Sequence, residues 1–213
     1  HPLTRGLVGC WVLNEDAPSS MRAWDSSPYG NHGIVAGAAG RWQGRTVDGV
    51  DDFISLGNPA QLINVTAQTL LMWLRIDLMD VGQIYWYGSA LDGTFGDMIR
   101  MDTGPTTLQV RVRNTAGTIV DLVSVTPVLS RWYQVGYSWD GTNAFGLVDG
   151  VKQIESAFSG TLARATVPIG IGARSAISTN STCVTGEVIA LNRGLTIAEI
   201  KELYLDPYAM FLR

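Results

Sequence analysis

The chain has 213 residues, 46% of them hydrophobic and only 16% charged, with 24 glycines and 8 prolines spaced at short intervals. That composition leaves room for one sizeable core and reads as many short strands joined by tight turns, which excludes a helical or disordered chain. A formal net charge of -4 lacks the basic footprint that neutralises phosphates, so nucleic acid is excluded as a partner. No apolar run reaches the roughly 18–20 residues of a membrane-spanning helix, so helical membrane insertion is excluded as well. Residue 1 is His rather than Met, and the sequence leaves its compartment open.

In chain order, residues 6–13 (GLVGCWVL) are apolar throughout and predict a strand buried on both sides. The stretch that follows, to about residue 45, is rich in Ser, Pro, Gly and Asn; it reads as loop and is the first place to look for a site. Strands are predicted at 51–57, 69–77, 83–89, 97–102, 107–114, 118–125, 131–140 and 144–155, the last folded at an Asp149-Gly150 turn. Residues 167–173 and 183–192 complete the strands, and Thr196 followed by Glu199 predicts a capping box opening a short helix through Leu205. With no repeat or linker, this pattern predicts one all-β domain over 1–213, an antiparallel two-sheet β-sandwich with a C-terminal helix and tail at about 196–213.

Several stretches resemble the laminin G-like domains of the concanavalin A-like lectin and glucanase group, in particular its bacterial and phage members. The opening GLVGCWVLNED is similar to the family's first strand, and Asp25-Ser26-Ser27-Pro28-Tyr29-Gly30-Asn31-His32-Gly33 to its aspartate and glycine-asparagine loop. Asp48-Gly49-Val50-Asp51-Asp52-Phe53 resembles its next turn, WYQVGYSWDGT and LVDGVK its central strands, and GEVIALNRGLTIAEIKELY its closing strand and helix. The resemblance runs from about residue 6 to 205. It implies a jelly-roll sandwich with a concave face, often used to bind carbohydrate and often carried on extracellular, cell-surface or virion proteins. A fold that hosts glycan binders, hydrolases and structural modules does not choose among them.

Glycosidases of this group resemble one another in carrying two glutamates on one central strand, because general acid and nucleophile must flank the scissile bond. The five glutamates here, at 15, 155, 187, 199 and 202, form no such pair. With only His1 and His32 available, neither a catalytic triad nor zinc spacing is present, and His32 reads as a hydrogen-bonded loop residue. No catalytic residues are therefore expected. Structural calcium is the cofactor the sequence leaves open, since Asp25, Asn31, Asp51 and Asp52 are hard oxygen ligands on loops. The resemblance adds a ligand from the closing strand, where Gly186 stands in place of an aspartate and Glu187 remains. The other reading of Asp25 and Asn31 is that they cap turns. Cys10 and Cys183 form a disulfide if the first and last strands are neighbours, or else remain two buried thiols.

For carbohydrate recognition, Trp11, Trp73 and Trp132 lie in apolar or alternating strands and are expected in the core. Tyr85, Trp86 and Tyr87 are consecutive, so alternation sends at least one ring to the face away from the core. The same alternation gathers Arg100 and Asp102, and on the next strand Gln109, Arg111 and Arg113, on one face. That face reads either as a glycan groove or as a solvated sheet whose charges pair across strands. The expected function is a non-catalytic carbohydrate-binding or adhesion module with a glycan partner. The alternative is a structural virion decoration or surface protein whose apolar tail, Tyr208-Ala209-Met210-Phe211, docks on a neighbour or a second copy; otherwise the tail packs on its own sandwich.

Overall fold

The computed structural model describes residues 1–13, 21–37, 39–41, 44–80, 82–89, 95–102, 107–164, 168–172 and 181–211. Its strands, in chain order, are β1 (Leu7–Trp11), β2 (Arg22–Ala23), β3 (Gly33–Ala36), β4 (Ala39–Arg41), β5 (Gly44–Asp48), β6 (Phe53–Ser55), β7 (Gln68–Ile76) and β8 (Ile84–Ser89). There follow β9 (Phe95–Met101), β10 (Leu108–Arg113), β11 (Ile119–Val125), β12 (Trp132–Trp139), β13 (Asn143–Val148), β14 (Val151–Ala157), β15 (Gly170–Ile171), β16 (Thr182–Leu191) and the helix α1 (Ile197–Leu205). They form two antiparallel sheets. The first runs β14-β13-β12-β7-β16-β5-β4 with β1 also paired to β16, and the second runs β11-β10-β9-β8-β15-β6-β3-β2.

The period-2 pattern of β7 explains the packing. Leu70, Met72, Leu74 and Ile76 point into the core between the sheets, while Leu71, Trp73 and Arg75 take the opposite face. Part of that outer face is sealed by a second core, in which Leu7, Cys10, Leu71 and Ile189 meet Ile200 and Leu203 of α1. The helix opens on the predicted capping box: the Glu199 amide donates to the Thr196 hydroxyl, and the Thr196 amide donates to Glu199 at 2.8 Å. The β13–β14 hairpin turns at Asp149 and Gly150, both with positive φ, as a two-residue primed turn requires.

Three expectations change. The segment read as loop to residue 45 contains β2, β3, β4 and the start of β5; these strands are two to five residues long, too short for alternation to register. The strand expected at 167–173 is only Gly170–Ile171, and Val167, Ala173 and Glu15 lie outside the described residues. The tail divides: Ala209 and Met210 are buried in the second core, whereas Tyr208 and Phe211 stay exposed.

Cys10 and Cys183 are free thiols. β1 and β16 are indeed paired, but Cys10 sits opposite Ile189 and points into the second core. Cys183 lies six positions away along β16 and points into the core between the sheets. Side chains on opposite faces of one sheet cannot be bridged. No helix is long and apolar enough to cross a membrane among the described residues.

Candidate ligand-binding site

The arginine-bearing strands are neighbours: Arg100 pairs with Gln109 across β9 and β10, and Arg111 with Asp121 across β10 and β11. On the outward face, the Arg100 guanidinium donates to Asp102 at 3.1 Å and to Gln109 at 3.2 Å, and Gln109 donates to Asp102 at 3.0 Å. Arg111 makes a two-pronged pair with Asp121, which raises its affinity for its proton, while burial and the nearby Arg111 lower that of Arg100. Arg113 is also engaged in an interaction. Arg100, Gln109 and Arg111 therefore already have partners within the chain.

The aromatic strand next to that face does not expose a ring. The register slips between Ile84 and Trp86, and the extra residue lets Tyr85 and Trp86, though consecutive, both enter the core between the sheets. Tyr87 does turn outward, in the row Tyr87–Met98–Arg111, but it is packed with Ile84 and Met98 and is only 3% exposed. The expected aromatic platform of Tyr85, Trp86 and Tyr87 is thus internal packing. A buried polar anchor accounts for the Trp86 placement: its indole N–H donates to Asp97 at 3.0 Å.

The five oxygen ligands suggested for calcium fall into three places. Asp25 is saturated by the chain, accepting from the amides of Cys10 and Ser27 at Oδ1 and from the Ser27 hydroxyl and the Asn31 amide at Oδ2. Asn31 donates to the Val8 carbonyl and accepts from Trp11, and His32 accepts from the Asp25 amide. These residues tie the loop to β1 and do not fit a cation site. Asp51 and Asp52 gather instead with Asp48, their carboxylates within 4.8 Å, near the other end of β3. Glu187 belongs to neither group.

Glu187 occupies a pocket of about 390 Å³ lined by Val12, Trp73, Trp132, Gly186, Glu187, Pro207 and Tyr208. Its floor is the part of the first sheet's outer face that α1 leaves uncovered, and its wall is the chain just after the helix. A bulge builds the floor. Between Thr185, opposite Leu74, and Val188, opposite Met72, two residues of β16 face the single residue Trp73, so Gly186 and Glu187 lie beside that ring. On the other side of β7, Trp132 pairs with Arg75, whose guanidinium lies 5.8 Å from the Trp132 ring and is held by Asp77. Trp73 is steadied by stacking on Tyr204 of α1, centroids 5.6 Å apart.

Glu187 is 7% exposed. Its Oε1 accepts from the Cys10 thiol at 3.3 Å, while Oε2 has no hydrogen-bond partner among the described residues. Burial pushes its pKa up to about 7; the thiol bond opposes this, and the charge of Asp206 adds to it. Trp73 and Trp132, expected in the core, are the half-buried rings at this surface. The signal was in β7 itself: Trp73 shares its parity with Arg75, whereas Leu70, Met72, Leu74 and Ile76 hold the other face.

A laminin G family model, described as the concanavalin A-like lectin/glucanases superfamily, matches residues 48–201, well over half of the chain. The chain belongs to that superfamily. No curated protein sequence matches it significantly. Among solved structures, the concanavalin A-like sandwich superposes on Trypanosoma rangeli sialidase with a TM-score of 0.69 at 20% identity, covering 96% of this chain and 33% of that one. It superposes on the binding domain of Paraclostridial Mosquitocidal Protein 1 with a TM-score of 0.71 at 14% identity, covering 97% and 53%. The chain thus spans about a third of the sialidase and about half of the toxin fragment, and at these identities the likeness is one of fold.

Proposed function

We propose that the chain is a non-catalytic carbohydrate-binding module whose principal sugar contacts lie in the Trp73–Trp132–Glu187 pocket. The observation that carries this reading is the pairing of two half-buried indole rings with a buried carboxylate that has a free acceptor oxygen. Sugar rings present C–H faces to aromatic side chains, and their hydroxyls donate to fixed acceptors. The superfamily and a fold neighbour solved in complex with sialic acid support a sugar ligand. The commonest routes of glycoside hydrolysis use two carboxyl groups across the scissile bond, and among the described residues lining the pocket Glu187 is the one carboxylate.

Replacing Trp132 with Ala is expected to lower affinity for a glycan selected from a broad panel by about tenfold or more, while the fold is retained, because the ring is not fully buried. Arg111→Ala is the control for the arginine face of Arg100, Asp102, Gln109, Arg111 and Arg113. Binding lost in Arg111→Ala but kept in Trp132→Ala moves the site to that face. This reading needs no calcium in the pocket: chelator is expected to leave glycan binding unchanged, and loss of binding in chelator contradicts it.

A further inference from the structure

We infer that the sugar this pocket selects carries a free cationic amino group, and that the ammonium lodges against the Glu187 carboxylate beside the Trp73 and Trp132 rings. The inference rests on the proposed carbohydrate reading and names the class of sugar. Three observations support it.

First, the acceptor is orphaned. Glu187 is more than nine-tenths buried, a thiol is its sole hydrogen-bond donor among the described residues, and thiols are weak donors. A buried carboxylate without a counter-charge is costly, and the complement that removes the cost is a cation with several N–H donors. A neutral sugar hydroxyl supplies one hydrogen bond and no charge.

Second, the described residues around the pocket provide no such cation. The described residues lining the pocket include no Lys, Arg or His, and Arg75, beneath the Trp132 ring, is already held by Asp77 at 2.8 Å and 2.9 Å. The charge of Asp206, which also acts on Glu187, is negative. An anionic sugar is therefore repelled.

Third, the rings suit the same ligand. Indole faces attract ammonium groups within about 6 Å, and they stack on the C–H face of a sugar ring. The bulge at Gly186 and Glu187 sets the carboxylate directly beside Trp73, so one ring can meet the sugar face while the acid meets its amine. A volume of about 390 Å³ lies at the lower end of the range for small-ligand pockets, about 300–1,000 Å³.

The test is calorimetric titration of the whole chain with three soluble oligomers: β-1,4-glucosamine, its fully N-acetylated form, and polygalacturonate. At pH 6.5 and low salt, the amine oligomer is expected to bind at least tenfold more tightly than the acetylated one, and polygalacturonate is expected not to bind. Glu187→Gln keeps the shape of the side chain and is expected to abolish the preference for the amine oligomer over the acetylated one, with folding checked by thermal melting. Trp132→Ala should weaken both amine and acetylated oligomers. Equal affinity for these two overturns the cationic selection and leaves the carbohydrate reading standing. Tightest binding of polygalacturonate overturns it as well, and failure of all three oligomers and of a broad glycan panel overturns both readings.

Discussion

Asp97→Ala is expected to destabilise the chain by about 3–5 kcal/mol, the range for removing one partner of a buried ion pair. Asp97 and Arg164 are both fully buried and paired. The same carboxylate oxygen accepts from the indole of Trp86 in its own sheet and from the Tyr137 hydroxyl, at 2.9 Å, and Gln68 in the facing sheet. One oxygen therefore ties β8 and β9 to β7 and β12 through the middle of the sandwich. Removing it strands a guanidinium, an indole N–H and a phenol in a dry interior, and each lost partner adds its own desolvation cost. The site also dictates its neighbour: a Cβ at Gly88 would lie 2.0 Å from Asp97 Oδ1, so glycine is required there. Urea unfolding followed by Trp fluorescence measures the loss. Arg164→Met combined with Asp97→Ala is expected to be less destabilised than the sum of the two single changes, because no unpaired charge remains. A single-variant loss below about 1 kcal/mol would show that the pair does not organise the core.

What the sequence makes legible follows from how local each signal is. The Asp149-Gly150 hairpin, the Thr196–Glu199 capping box and the two-faced patterns of β7 and β10 depend on residues a few positions apart, and all are present. The partition of Arg100, Gln109 and Arg111 onto one face follows from strict alternation, which those strands keep. Alternation misleads where it is interrupted. One inserted residue at Tyr85 turns two consecutive rings inward, and one inserted at Gly186–Glu187 carries a carboxylate to the side of Trp73; neither bulge has a local signature. The pocket also needs Pro207 and Tyr208, which reach it only because α1 folds back over β7 and β12, a contact that depends on packing distant in sequence. The Asp97–Arg164 pair is hidden for the same reason: its partners are 67 residues apart and come from a strand and a connection.

Raising the pH from about 5 to 8 is expected to destabilise the chain, and Glu187→Gln is expected to remove most of that loss. The sign follows from proton counting. Glu187 in the folded chain titrates at about 7, above its ordinary value of 4.5, so between these values the folded state binds more protons than the unfolded one. Stability held below pH 4.5 is then lost as pH rises through 7, by on the order of 3 kcal/mol for a shift of that size. For a chain of this length this corresponds to a fall of roughly 6–12 °C in melting temperature. The groups facing Glu187 leave its ionised form poorly compensated: the Cys10 thiol from β1 supplies one weak bond, and Asp206 and Tyr208, from the chain after α1, bring no positive charge. The glutamine variant cannot ionise, so comparing the two melting profiles isolates this carboxyl from every other titrating group. Parallel profiles would contradict the raised titration. A bound ammonium supplies the missing charge, so an amine-bearing sugar should stabilise the native chain more at pH 7 than at pH 5, where the carboxyl already holds its own proton.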